Sequence, residues 1–120
     1  MYAKNKRRVS AFYQRALDLR SVEVAPSYDV LRGRGMEVVI HAIPRRFAIH
    51  IKITKPPRVR EDTPFKPAFV VKDLEEVRVA AAATGGSLAP SSAAWRYNGY
   101  LVLDGCDPEG NVVQFRQHEA

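Results

Sequence analysis

Two short stretches of this sequence carry side chains that could do chemistry from alternate positions of a strand. Glu37 and His41 stand in the first, and Gln114 and Arg116 stand in the second. Alternate side chains of a strand project from one face of the sheet, so each pair would share a surface. A carboxylate and an imidazole can act as general bases or bind a metal ion, whereas an amide and a guanidinium can hold an anion. Glu37 and His41 are therefore the candidate catalytic residues.

The second stretch follows a turn-forming sequence, Asp107-Pro108-Glu109-Gly110. Asp and Pro favour the start of a tight turn, and Gly110 can adopt the positive φ that other residues resist. Beyond the turn, Val113 and Phe115 alternate with Val112, Gln114 and Arg116. This pattern predicts a strand with one apolar face, whose opposite face holds Gln114 in its middle.

The chain has 120 residues, of which 46% are hydrophobic and 27% are charged, as is typical of one soluble globular domain. No stretch approaches the roughly 18 apolar residues of a membrane helix, and the N-terminus lacks the apolar core of a signal peptide, so we expect a cytoplasmic protein. The single cysteine, Cys106, excludes an intrachain disulfide and a cysteine-cluster zinc site. We interpret it as a small buried thiol rather than as a nucleophile.

The formal net charge of +6 is unevenly distributed along the chain. Residues 1–60 contain 14 Lys and Arg against 4 Asp and Glu, whereas residues 61–120 contain 5 against 9. A basic half could bind nucleic acid, but no stacking aromatic residues interleave with its cations and no helix-turn-helix or zinc-finger spacing occurs. We therefore interpret this charge as solvated and do not expect nucleic-acid binding.

One order of elements occurs twice. Asn5 could cap a helix with a single apolar stripe, and Asp73 could cap a second helix that ends at Gly85-Gly86. A strand-like piece precedes each helix, and two short strands and a closing strand follow it. The pattern β-α-β-β-β therefore predicts two modules, at about residues 1–46 and about residues 65–120, within a single domain.

The segment at about residues 47–64 would connect the modules, with Pro56-Pro57 and a polar run marking a linker. Its first part, from Phe47 to Ile53, alternates in polarity and could form an edge strand. An exposed edge strand leaves backbone N–H and C=O groups unpaired, and a partner subunit is the simplest way to cover them. We therefore expect a homodimer.

These motifs resemble those of the vicinal oxygen chelate superfamily, which includes glyoxalases, bleomycin resistance proteins and extradiol dioxygenases. The run from Asp107 to Phe115 is similar to the closing strand of that family. The run from Val9 to Leu17 is similar to its first helix, and the run from Phe69 to Leu74 to its fifth strand and second helix cap. The resemblance covers nearly the whole chain. It implies a glyoxalase-like α+β fold in which two modules form a cupped mixed sheet.

If each helix covers one face of its sheet, the opposite faces line the cup. Strand alternation assigns to the cup Tyr2, Lys4, Glu37, Val39, His41, Lys66, Ala68, Val70, Val112, Gln114 and Arg116. The candidate ligand-binding residues among them are Tyr2, Glu37, Val39, His41, Lys66, Gln114 and Arg116. Trp95 and Tyr97 could add an aromatic wall, although such residues belong more often to a core or a dimer interface.

The resemblance also implies four metal ligands, usually His or Glu, from the first and last strand of each module. In this sequence the first position would lie upstream of Met1, and the others fall on Val39, near Lys66 and on Gln114. Valine cannot bind a metal, a charged lysine has no free lone pair, and a neutral amide is a weak donor. We therefore predict no metal cofactor at the usual positions. A divalent metal at a shifted site that uses Glu37, His41 and Gln114 stays open.

Two functions fit these observations. The first is a lyase, isomerase or dioxygenase, metal-dependent or not, acting on a small oxygenated substrate, with Glu37 or His41 as its base. The second is a non-catalytic protein whose cup binds a small molecule, as bleomycin resistance proteins do. Because Lys66 and Arg116 would face the cup of a basic chain, that molecule is expected to be anionic or aromatic. We favour the second function.

Overall fold

The first module contains four strands and one long helix. These are described in a computed structural model that covers residues 1–119. The elements are β1 Tyr2–Ala3, α1 Lys6–Leu17, β2 Arg20–Val24, β3 Tyr28–Gly33 and β4 Met36–Ala42. The strands form one sheet in the order β1-β4-β3-β2, in which β1 pairs with β4 in parallel and the other pairs are antiparallel.

The second module repeats this arrangement after a short helix, α2, at Arg45–Ala48. Its elements are β5 Ala68–Val71, α3 Leu74–Ala83, β6 Ser87–Leu88, β7 Trp95–Tyr97, β8 Tyr100–Cys106 and β9 Val112–His118. The sheet order is β5-β9-β8-β6, β7 also pairs with β8, and the parallel pair is again the first strand with the last. The predicted glyoxalase-like α+β fold of two modules is confirmed, and each module has its own mixed sheet.

One detail of the second module differs from the predicted pattern. Three strands, not two, lie between α3 and the closing strand, because the strand beside β8 is interrupted. Pro90 and a 3₁₀ turn at Ser91–Ala93 separate β6 from β7. Proline has no N–H to give to a strand ladder, which explains the break at this point.

Both predicted helix caps are present. The side chain of Asn5 accepts a hydrogen bond from the backbone N–H of Arg8 at 3.1 Å, and that of Asp73 accepts one from Glu75 at 2.8 Å. The α3 helix ends before Gly85, whose φ of +89° would strain any other residue. Local sequence therefore determines where both long helices begin and where α3 ends.

A continuous apolar core joins the two modules. Helix α1 packs against α3, and its Phe12 and Tyr13 contact aromatic side chains of the second module. The ring centroids of Phe12 and Phe115 lie 6.5 Å apart, and those of Tyr13 and Phe69 lie 6.4 Å apart. Phe12, Tyr13 and Phe115 are almost completely buried. The modules therefore share one core, as expected for pieces too small to bury enough surface alone.

The edge strand predicted from Phe47 to Ile53 is wrong. Pro44 precedes α2, and residues 49–67 contain neither helix nor strand. The alternation does not correspond to one buried face, because Phe47 and Ile49 are exposed. At its end Ile51 and Ile53 are half-buried and Lys52 between them is exposed, so this part lies with one side against the protein without pairing with a strand. No helix among the described residues is long and apolar enough to cross a membrane.

Candidate ligand-binding site

The closing strand of each module buries one row of side chains and leaves the other row uncovered by the helix. Val38 and Ile40 of β4 are buried in the core, and so are Val113 and Phe115 of β9. Glu37 and His41, in the alternate row of β4, are exposed. We call the surface formed by the alternate rows of each sheet its outer face. The predicted division of these two strands into core and non-core rows is confirmed.

A chain of polar side chains crosses the outer face of the second sheet. Gln114 is 7% exposed, and its Nε2 donates to Asp104 Oδ1 at 3.4 Å while its Oε1 accepts from Arg116 Nε at 2.7 Å. Lys66 Nζ forms an ion pair with Asp104 Oδ2 at 3.2 Å. Asp104 therefore compensates Lys66, whereas Arg116 takes part in none of the ion pairs found within residues 1–119.

Two aromatic side chains of β7 lie beside these cations. Lys66 Nζ is 5.9 Å from the ring centroid of Trp95, and Arg116 Cζ is 5.1 Å from that of Tyr97. Trp95 is 41% exposed and Tyr97 is 49% exposed, so neither belongs to the core of the chain. Cations at these distances are attracted to the ring faces. The outer face of the second sheet thus combines a guanidinium with an accessible aromatic wall.

A cavity of about 450 Å³ lies between the modules, next to this polar chain. Tyr2 of β1, Lys66 and Val112 of β9 line it, together with Phe65 and with Val9 and Tyr13 of α1. Small-molecule sites have volumes of roughly 300 to 1,000 Å³ and mostly apolar walls with a few polar groups. Two of the predicted ligand-binding residues, Tyr2 and Lys66, are therefore brought together in one cavity of suitable size.

Tyr13 adds a polar group to the wall of this cavity. Its hydroxyl donates to Asp107 Oδ2 at 2.8 Å. Burial, and next the nearby charge of Asp107, raise the pKa of Tyr13 far above its ordinary value of 10.0, so the phenol keeps its proton. The side chain therefore acts as a hydrogen-bond donor and not as a base.

The predicted residues of the first sheet form a separate group. The His41 ring lies 5.3 Å from that of Tyr2 and 6.3 Å from that of Tyr28, centroid to centroid. Glu37 accepts from Arg32 at 2.8 and 3.0 Å, and Val39 pairs with Val30 in the ladder. Two predicted residues of β4 are next to the cavity. His41 contacts Tyr2, and the carbonyl of Val39 accepts a hydrogen bond from the N-terminal ammonium of Met1 at 2.8 Å.

The candidate catalytic pair does not form a joint site. Glu37 and His41 are four residues apart on one strand, which places their Cα atoms about 13 Å apart. This spacing does not favour one metal site shared by both side chains. A divalent metal at a shifted site that uses Glu37, His41 and Gln114 stays a prediction of the sequence.

The residues at the usual metal positions do not fit a divalent metal either. Gln114 directs its amide oxygen at the guanidinium of Arg116, Lys66 places an ammonium beside Asp104, and Val39 offers no donor. Within residues 1–119, no three His, Cys, Asp or Glu side chains are grouped so that they could hold a metal ion. We therefore derive no chemical step that uses a metal.

Two further sequence interpretations concern Lys4 and Cys106. The predicted place of Lys4 in the cup is wrong: Lys4 follows the end of β1, and its ammonium donates to the carbonyl of Ile51, away from the cavity lining. Cys106 ends β8 and is 4% exposed, and burial raises the pKa of its thiol to about 11. A protonated, buried thiol is a poor nucleophile, which agrees with the structural role predicted for it.

Asp104 is the residue that sequence reasoning missed. It lies opposite Gln114 in the β8–β9 ladder and organises both neighbouring polar groups. The signal was present, because Asp104 is the one charged residue in a strand that otherwise reads Tyr-Leu-Val-Leu before Gly105 and Cys106. A charge at a position that alternates with core residues belongs to the same outer face as Gln114.

Solved structures with the same architecture cover almost the whole chain. A glyoxalase/bleomycin resistance protein/dioxygenase family enzyme from Burkholderia phytofirmans matches with a TM-score of 0.69 and 19% identity, over 99% of this chain and 94% of that one. A bleomycin-binding protein complexed with bleomycin matches with a TM-score of 0.62 and 16% identity, over 99% and 94%.

A third structure is a variant of the fosfomycin resistance protein FosX from Listeria monocytogenes, complexed with Mn(II) and 1S,2S-dihydroxypropylphosphonic acid. It matches with a TM-score of 0.67 and 14% identity, over 99% of this chain and 86% of that one. No protein-family model matches the sequence, and no curated protein matches it closely. The chain therefore has the fold of these glyoxalase and bleomycin resistance proteins, as its repeated motifs predict.

Proposed function

We propose that this protein binds a small anionic aromatic molecule and does so without a metal. The observation that carries this proposal is the polar chain through Gln114, which leads to the guanidinium of Arg116 beside the exposed rings of Trp95 and Tyr97. A carboxylate of the ligand would pair with Arg116, which has no acidic partner among the described ion pairs, and its ring would lie against the aromatic wall.

The cavity between the modules supports the same class of ligand. Its walls are mostly apolar, and Lys66 is the one formally cationic side chain in its lining. The pairing of Lys66 with Asp104 weakens its attraction for an anion, so we assign the main electrostatic role to Arg116. The ligand would then extend from Arg116 past Lys66 toward Tyr2.

The similar proteins of known structure include one that binds bleomycin and one that holds Mn(II) with a phosphonic acid. The side chains of this chain favour an anion, as in the second case, but they do not offer the donors of a metal site. A lyase, isomerase or dioxygenase would need a base beside its substrate. Glu37 is held by Arg32 within the first sheet, away from the polar chain of the second sheet. His41 lies beside Tyr2, at the end of the proposed ligand path opposite Arg116, so we prefer binding to catalysis.

We further propose a homodimer. The edge strand that first suggested it does not exist, but the outer faces expose large apolar side chains, among them Tyr2 at 72%, Val70 at 39% and Trp95 at 41%. Exposed apolar groups on a sheet face favour a protein partner. A second copy is the simplest partner, because the outer face of one module could pack against the outer face of the other module in a second chain. A cytoplasmic location stays a prediction of the sequence.

The binding proposal can be tested with the one tryptophan of the chain. We expect naphthoate to change the fluorescence of Trp95 and to raise the melting temperature, because a ligand that binds the native state stabilises it. Its neutral amide and naphthylmethylamine should bind more weakly, since neither offers a carboxylate to Arg116. An absence of binding across a panel of aromatic acids would contradict the proposal.

Two variants locate the site. Arg116→Gln should weaken naphthoate binding by about tenfold or more, since a charge-assisted hydrogen bond is worth roughly 1.5 to 3 kcal/mol. Arg34→Gln removes the same charge from an exposed turn and should leave binding unchanged. Metal analysis of freshly purified protein completes the test, because a stoichiometric divalent metal would overturn metal-free binding. Sedimentation of the wild type against Trp95→Glu tests the dimer.

A further inference from the structure

We propose that a second surface of this molecule binds compact anions that carry several phosphate groups. The surface consists of two adjoining depressions of about 170 and 350 Å³, whose walls share Ile53 and Glu109. We call it the basic surface. Six cationic side chains line it: Lys4, Arg8, Lys52, Lys55, Arg58 and Arg60.

The six cations come from two distant parts of the chain. Lys4 and Arg8 flank the start of α1, and the other four belong to the segment between the modules. Hydrogen bonds to backbone carbonyls hold that segment in place. The N–H of Arg60 donates to the carbonyl of Gly110 at 2.8 Å, and the ammonium of Lys4 donates to the carbonyl of Ile51. Folding therefore concentrates charge that the sequence distributes over about half the chain.

The six cations are not paired with carboxylates. None of the six cations takes part in an ion pair among residues 1–119. The one carboxylate in the walls, that of Glu109, is 4% exposed and accepts from the backbone N–H groups of Lys4 and Asn5. Like charges gathered on one surface repel one another, and a bound polyanion would relieve that repulsion.

The shape and chemistry of the basic surface indicate the class of ligand. Its depressions are concave and small, which suits a compact anion better than a duplex. No aromatic side chain lines them, so a nucleobase would find no stacking partner. Guanidinium and ammonium groups bind phosphate oxygens through charge-assisted hydrogen bonds. The lining shares no residue with the cavity between the modules, so this site is separate from the proposed aromatic-acid site.

Calorimetric titration of the full chain with inorganic triphosphate at low ionic strength tests the proposal. We expect binding that weakens as salt is added, and much weaker binding of orthophosphate. The double variant Lys55→Gln with Arg58→Gln should bind triphosphate roughly a hundredfold more weakly, about tenfold for each lost contact. The control is Arg15→Gln with Arg20→Gln, which removes the same charge from exposed positions outside the basic surface and should change affinity little.

Four outcomes would overturn the proposal. The first is no triphosphate binding at low salt, and the second is an equal loss in both double variants, which would assign binding to overall charge. The third is a loss in Lys66→Gln, which would place triphosphate in the cavity between the modules. The fourth is binding of a single-stranded oligonucleotide without binding of triphosphate. Circular dichroism and the melting temperature of each variant show whether it is folded.

Discussion

The closing turns of the two modules occupy equivalent places but have different surroundings. Gly35 ends the turn before β4 with φ +73°, and Gly110 ends the turn before β9 with φ +85°. A methyl group added at Gly35 would meet no atom within 4 Å, whereas one added at Gly110 would lie 2.1 Å from the carbonyl oxygen of Arg58. The two turns therefore share a glycine with positive φ but differ in length, with two residues between Gly33 and Met36 and five between Cys106 and Val112. They differ also in role, because the second glycine packs closely against another segment and the first does not.

The second turn joins the modules. Glu109 accepts hydrogen bonds from the N–H groups of Lys4 at 2.8 Å and Asn5 at 2.7 Å, and Asp107 accepts one from the Tyr13 hydroxyl. All three donors belong to the first module. The first turn has no comparable set of contacts, and its Arg34 is exposed. Four experiments can separate the two turns.

The largest effect is expected from adding a methyl group to each glycine. Gly110→Ala should lower the free energy of unfolding by more than about 3 kcal/mol, because the new Cβ collides with backbone and a positive φ is strained for alanine. Gly35→Ala has only the strained φ and should lose about 1 kcal/mol. Urea denaturation measures both, and equal losses would contradict the difference between the turns.

Removing the carboxylate of Glu109 comes next. Glu109→Ala should lower the free energy of unfolding by about 2 kcal/mol, because it leaves two partly buried backbone donors without their charged acceptor. Arg34→Ala, at the equivalent position of the first turn, should change stability little. If both variants unfold at the same denaturant concentration, the Glu109 carboxylate does not hold the modules together.

The Tyr13 hydroxyl should contribute less. Tyr13→Phe should lower the free energy of unfolding by about 1 kcal/mol, since Asp107 Oδ2 keeps a hydrogen bond from Asn111 Nδ2 at 2.9 Å. Tyr28→Phe removes a hydroxyl that bonds to Glu23 at the exposed edge of the first sheet, and it should have no measurable effect. A loss in Tyr28→Phe as large as that in Tyr13→Phe would show that burial does not distinguish the two bonds.

The smallest effect is a dependence on pH near the second turn. The pKa of Cys106 rises from 9.0 to about 11 on folding, so the unfolded chain loses this proton at lower pH than the native chain. The resulting stability is fully present below pH 9 and is lost as the pH rises toward 11. Denaturation at pH 8, 9 and 10 should show a decline that is shallower in Cys106→Ala. An equally steep loss of stability with pH in both proteins would show that groups other than Cys106 cause it.

The sequence predicted what depends on short-range patterns. The caps at Asn5 and Asp73, the repeated module and the core rows of the closing strands all follow from neighbouring residues. The bonds of Glu109 do not, because they join residues 105 and 104 positions apart in the chain. Periodicity also misled at Phe47 to Ile53, where Phe47 lies in a short helix and one-sided burial is confined to Ile51 and Ile53.

The candidate site was predictable only in part. Strand alternation correctly placed Gln114 and Arg116 on one face. Alternation says which residues share a face but not how far apart they lie, so it grouped Glu37 with His41 although about 13 Å separates their Cα atoms. The partnership of Asp104 with Lys66 depends on how β8 and the segment before β5 are brought together across the sheet. Such contacts are set by the packing of the whole chain.

The contact of Glu109 with the start of α1 also bears on synthesis of the protein. During translation α1 emerges early. The backbone N–H groups of Lys4 and Asn5, which precede it, find their acceptor only after Glu109, in the turn before β9, has left the ribosome. Contacts between distant residues form late, because closing a long loop costs entropy. The nascent first module would therefore remain incompletely anchored until nearly the last hairpin is made, and native structure would be gained in one late step.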